Sequence, residues 1–125
     1  MYCERKTVVV TTAADGSATA YSENVTGKLS QVRYVKDGTT PFTDGVDFTI
    51  TADATGETLW AENDVNASAT RAPRQATHST AGAAALYASG GVGVFDKIAL
   101  ANDRIKIVIA SGGNAKVGTF HFLFE

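Results

Sequence analysis

Large apolar residues recur at every second position through much of this chain, the period of a strand with one face buried. The C-terminal third shows it most clearly. Arg104 to Ala110 places Ile105, Ile107 and Ile109 on one face. Val117 to Glu125 places Phe120, Phe122 and Phe124 on one face and Thr119, His121 and Leu123 on the other. Ser111-Gly112-Gly113-Asn114 lies between them and carries a turn signal. The pattern predicts a core hairpin with three Ile set against three Phe, because cross-strand apolar pairs stabilise sheets.

Other segments follow the same logic. Lys6 to Thr12 is β-branched at six of seven positions and predicts a strand. Ala14-Asp15-Gly16-Ser17 predicts a turn, and residues 18–24 are expected to return as the second arm of a hairpin. Lys28 to Lys36 alternates, with Ser30, Val32 and Tyr34 on one face and Leu29, Gln31, Arg33 and Val35 on the other. Pro41 marks a loop or an edge segment. Val46 to Ala52, with Phe48 and Ile50 on one face, and Glu57 to Asn63, with Leu59, Trp60 and Ala61, predict a second hairpin across Thr55-Gly56. Val94 to Leu100 predicts a further strand, and Asn102-Asp103 a turn.

Residues 64–80 lose the alternation and read as an extended excursion. Ala81 to Ala88 is the best helical stretch, but it is short and flanked by Gly82, Gly90 and Gly91, and isolated helices of that length are marginal. The expected fold is all-β. It is a single-domain antiparallel β-sandwich or barrel over residues 1–125, with about seven or eight short strands and a long loop or short helix around 71–93.

Composition agrees with that class. Ala, Thr and Gly number 20, 16 and 12 and together fill 48 of 125 positions, which does not suit a helical bundle. These small residues collect in the turns and in 64–93, and the large apolar residues collect in the strands. The lone Cys3 cannot form an internal disulfide. No apolar run approaches the ~18 residues of a membrane span, and Val8-Val9-Val10 is too short for a signal peptide, so synthesis and folding in a cytoplasm are expected. A net charge of −2, with scattered basic residues, supplies no stripe for nucleic acid.

The chemistry-bearing residues do not converge in sequence. There is no G-x-S-x-G for a nucleophile, and Gly90-Gly91-Val92-Gly93 lacks the order of a phosphate loop. Asp44-Gly45-Val46-Asp47 and Asp53-Ala54-Thr55-Gly56 lack the spacing of a calcium loop. Cys3, His78 and His121 have no zinc-ligand spacing. His78 reads as a solvated loop residue and His121 as a strand residue. No catalytic, cofactor-binding or metal residue is predicted, and no cofactor; an enzyme would need a concave pocket with convergent polar groups. Trp60, Tyr87, Phe42, Tyr21 and Tyr34 are candidates for an aromatic sugar-binding face. Segment 71–93 is the foremost non-core candidate, because long structureless connections are usually functional or disordered. Arg71 and Arg74 within it are suited to pairing with acidic groups on a partner.

Several blocks resemble small structural proteins of tailed-bacteriophage virions. They are Glu4 to Thr12, Ala14 to Tyr21, Gly45 to Thr51, Arg71-Ala72-Pro73-Arg74-Gln75, and Asp103 to Ala110 with the Gly-Gly turn after it. The resemblance spans nearly the whole chain, through strands and turns rather than chemistry, and it implies no catalytic residue. It implies a capsid decoration (cement) protein of the virion, assembled in the host cytoplasm. Such a protein would bind the major capsid protein or other virion proteins as a homo-oligomer, without direct nucleic acid or membrane contact. An N-terminal arm or the 71–93 loop would supply the reach, and avidity the strength. The alternatives are a neck or tail component (head-tail completion or tail-tube-associated) and a carbohydrate-binding β module.

Overall fold

The computed structural model describes residues 3–125. Eleven strands occur among them, and no helix: β1 (Glu4–Thr11), β2 (Ala18–Tyr21), β3 (Val25–Lys36), β4 (Asp47–Ala52), β5 (Thr58–Glu62), β6 (Ala69–Arg71), β7 (Gln75–Ala76), β8 (Phe95–Asp96), β9 (Ile98–Asp103), β10 (Ile105–Ala110) and β11 (Val117–Phe124). Every pairing between strands is antiparallel. One sheet runs β1-β11-β3, with β6 and β9 sharing the far side of β3, and the second runs β2-β10-β4-β5. The expected all-β class is thus found. Of the two architectures expected, sandwich or barrel, the strands form a sandwich, with eleven strands in place of seven or eight.

The two inner faces meet through aromatic rings. Phe48 of β4 lies 5.0 Å from Phe120 of β11 and 4.8 Å from Tyr34 of β3, both edge to face, the arrangement ring quadrupoles favour. Phe120, Phe122, Ile105, Ile107 and Ile50 are fully buried. One contiguous core runs from Val10 to Phe124.

The Ile and Phe stripes are both in this core, but not as a hairpin. β10 pairs with β2 and β4, and β11 pairs with β1 and β3. Residues 111–116 therefore cross from one sheet to the other, and the Ile face the Phe across the sandwich. The 12–17 turn crosses in the same way. β2 pairs with β10 rather than with β1, which corrects the first predicted hairpin. A third crossing joins β9 to β10 at Arg104. Its corner is pinned by buried Asp103, whose Oδ1 accepts from Ala54 N at 2.9 Å and Arg104 N at 2.8 Å. The β4/β5 hairpin is found as predicted.

Two extra residues explain where simple alternation breaks. Gln31 pairs with Leu123 and Leu29 with Phe124, so Ser30 is an additional residue in β3. That bulge turns Leu29 to the same side as Val32 and Tyr34, and all three are fully buried. In β5, Trp60 pairs with Ile50 and Thr58 with Thr51, so Leu59 is additional. Leu59 and Trp60, adjacent in sequence, are consequently both buried.

Candidate functional site

The sandwich has two long edges. Along one, β1 and β2 border their sheets. Along the other lie β5 and the pair β6 and β9. A clamp crosses this second edge. Arg71 Nε donates to Glu62 Oε1 at 2.8 Å and Arg71 Nη2 to Oε2 at 2.9 Å, a two-pronged pair linking β6 of one sheet to β5 of the other. Trp60 Nε1 also donates to Glu62 Oε1, at 3.0 Å, and the Arg71 guanidinium stands 5.8 Å from the Trp60 ring centre. Hydrogen bonds from Arg71 and then Trp60 hold the Glu62 carboxyl below its ordinary pKa. Two open hollows flank the clamp. One, of about 550 Å³, is bordered by Arg33, Glu62 and residues 64–71; the other, of about 360 Å³, lies between β5, residues 71–74 and Ile98.

From this edge the chain leaves the sandwich at Ala72 and returns at Lys97. The departure is ordered. β7 pairs with β8 at its base. Above it Thr77 N donates to Val94 O (2.9 Å), Val94 N to Ala85 O (3.0 Å) and Ala85 N to Thr77 O (2.9 Å), closing a ring of three hydrogen bonds among three backbone segments. Thr77 Oγ1 adds a bond to Val94 O at 2.8 Å. Beyond the ring are two short lobes, one closed by a bridge between His78 and Ala84 and the other by a bridge between Leu86 and Gly93. The predicted helix over 81–88 is corrected here. Residues 83–87 are tied to 77–79 and 92–94 by backbone bonds that a helix would break, and none of residues 81–88 is buried, so no packed face supports a helix there.

None of the residues 72–97 is buried. Leu86, Tyr87, Val92 and Phe95 are 45%, 77%, 72% and 58% exposed, and among the described residues they make up four of the six large apolar side chains that face solvent. A sequence signal for this surface exists and differs from the alternation used to find strands. Residues 75–95 contain no Asp, Glu, Lys or Arg, in a chain that carries 24 such residues elsewhere.

The other candidates disperse. Arg71 is bound to Glu62, and Arg74 Nη1 donates to Ser30 O at 2.9 Å and Pro73 O at 2.8 Å, so both are engaged within the chain rather than offered to an acidic partner. Ser30 is the bulge residue, whose carbonyl Arg74 thus satisfies. Glu4–Thr11 is a full strand in register with β11, not a free N-terminal arm. Phe42 and Tyr34 are buried, Trp60 is 7% exposed, and Tyr21 carries the Arg104 guanidinium 3.8 Å above its ring, so the five aromatics form no shared sugar-binding face. His78 is exposed on the arm. His121 lies on the outer face of β11, with Nδ1 3.2 Å from Thr7 Oγ1. Cys3 is exposed. Among the described residues no three His, Cys, Asp or Glu side chains gather as metal ligands, and no helix is long and apolar enough to cross a membrane.

No family model matches the chain, and no curated protein matches it. A solved structure of FlhE resembles it over 98% of this chain and 97% of that one, with 11% identity and a TM-score of 0.46. The expected virion role is corrected by these findings. A solved structure that matches along the whole chain is FlhE and not a capsid, neck or tail protein. At that identity and score the likeness to FlhE brings no function with it either.

Proposed function

We propose that this chain is a binding module that works by protein–protein contact, with the 72–97 arm as its contact element. The observation that carries this reading is the pairing of order with exposure. The arm is held by its own backbone hydrogen bonds, yet it buries no side chain and presents Leu86, Tyr87, Val92 and Phe95 to solvent. A short ladder without an apolar face to cover it is marginally stable in water, and a partner surface supplies what is missing. Large apolar side chains on a preformed element dock at small conformational cost, because little remains to be ordered on contact. The absence of charge along 75–95 suits burial, since no ion has to be desolvated.

In-cell photo-cross-linking tests this reading. Tyr87 replaced by a photo-reactive analogue is expected to give a discrete protein adduct. The same replacement at Thr49, exposed on the outer face of β4, is expected to give none. Equal labelling at both positions, or none at Tyr87, would remove the arm from the contact surface.

A further inference from the structure

We propose that the arm docks on a second copy of this chain, in the hollow beside β5, and that the exchange is reciprocal; this rests on the reading of the arm as a contact element. Among the described residues β5 pairs only with β4, so its other edge carries no strand there and borders the 360 Å³ hollow. Its apolar walls are Leu59, Trp60, Ala61, Ala72, Pro73 and Ile98, with Thr58 the one uncharged polar residue beside them. The charges at the rim are already engaged. Arg71 is paired with Glu62, and Arg74 is turned onto two carbonyls. The hollow therefore offers no unpaired ion to a charged partner segment. An uncharged arm with exposed Leu, Tyr, Val and Phe matches it, and residues 75–95 of this chain are such an arm.

Placement favours a second copy over a different protein. Ala72 and Pro73 are at once the root of the arm and a wall of the hollow. Donor and acceptor surfaces are thus contiguous on one edge of the sandwich. A two-fold axis beside the root sets the arm of each copy against the hollow of the other, the self-complementary geometry that closes a dimer. Size agrees as well. A stable interface uses roughly 20–30 residues on each side. In a one-way contact the 21 uncharged arm residues only just reach that range and the ten residues lining the hollow fall short of it on the other side, whereas a reciprocal exchange lets each copy contribute both arm and hollow.

Sedimentation equilibrium and light scattering on the full chain provide the test. The expected mass in the micromolar range is twice the 13.0 kDa of the chain, falling to one chain on dilution. Joint replacement Leu86→Ser and Tyr87→Ser is expected to weaken association by about 30-fold or more, as loss of an aromatic anchor does. Ala61→Arg, at an exposed position on β5 in the wall of the hollow, is expected to weaken it similarly while leaving the fold intact by circular dichroism. The decisive sample is the mixture of the two variants. Each pair then keeps one intact arm on one intact hollow, so dimers are expected to reappear in part. A single-chain mass at all concentrations, an assembly of three or more chains, or an unchanged dimer in either variant would overturn the proposal. A single-chain mass together with a Tyr87 adduct to a different protein in cells would overturn the second copy and leave the contact role of the arm standing. Absence of both would remove the two together.

Discussion

Gly112 and Gly113 sit in the turn between β10 and β11, where an added methyl would come within 2.8 Å of Thr12 Cγ2 and 2.6 Å of Thr43 Cγ2 respectively. Gly82 and Gly90, in the arm, have nothing within 4 Å of the place where such a methyl would stand. Both regions are built from Gly, Ala, Ser and Thr, and they use small size for opposite ends. At the 12–17, 40–46 and 111–118 end, the missing side chains let three turns interlock. Gly112 N donates to Gly16 O at 2.9 Å, Thr43 N to Gly112 O at 3.0 Å, and Lys116 N to Thr12 Oγ1 at 2.9 Å. Gly118 leaves the space that the Phe42 ring fills. In the arm, small residues leave the backbone open and the few large side chains outward. Composition alone cannot separate these cases. What separates them is whether another segment has come to occupy the space.

This contrast yields graded expectations. The largest concerns charge placed on each side of it. Phe122→Asp buries an unpaired carboxylate among rings at a fully buried site and is expected to abolish folding, a loss above about 5 kcal/mol. Tyr87→Asp, at a position 77% exposed, is expected to leave the unfolding midpoint in urea within experimental error at concentrations where the chain is dissociated. Gly118→Ala comes next. Its new methyl meets the buried Phe42 ring, and overpacking of this kind costs about 3 kcal/mol, read from thermal or urea unfolding. Gly90→Ala meets no atom, although the positive φ of 69° makes it less than neutral.

Thr12→Val is expected to cost about 2 kcal/mol. Its buried hydroxyl donates to Gly113 O and accepts from Lys116 N, and the valine leaves both backbone groups without that partner. The smallest effect concerns pH at the clamp beside the arm. The Glu62 carboxyl is held down by Arg71 and Trp60, so its contribution to stability is present above the ordinary carboxylate range. That contribution is lost as pH falls through the lowered value of the folded state. Glu62→Gln is expected to flatten that acid-side slope. The difference is about 0.5 kcal/mol, because the pair is partly solvated and screened.

The core was legible because burial leaves its own period in the sequence. Ile105, Ile107 and Ile109, and Phe120, Phe122 and Phe124, announce two inward faces. They do not announce which strand is the neighbour. Two stripes facing across a sandwich and two stripes side by side in a hairpin give the same alternation, and a Gly-Gly turn serves either. The same ambiguity misplaced β2. Bulges hid Leu29 and Leu59, since one extra residue reverses the face of everything beyond it. For the arm, local preference misled in a different way. The Ala-rich run 81–88 favours a helix on propensity, but a short helix gains stability from a packed face, and no face is available there. Its hydrogen bonds go instead to segments on either side. The extent of the excursion was visible as lost alternation, and its character as an uncharged run of 21 residues. The Glu62–Arg71–Trp60 clamp left no mark in sequence, because its members come from two strands on different sheets.

The claim that the arm serves contact and not the fold can be put to one measurement. Gln75 and Asp96 face each other in the ladder at the base of the arm, so residues 76–95 can be replaced by Asn-Gly, the pair that closes a two-residue hairpin turn. Urea unfolding of this shortened chain, at a concentration where the full chain is dissociated, measures what the arm contributes to the sandwich. The expected result is an unfolding free energy within about 0.5 kcal/mol of the full chain, as for changes that touch no buried group. A loss of several kcal/mol would show that the arm supports the core, and would contradict the account.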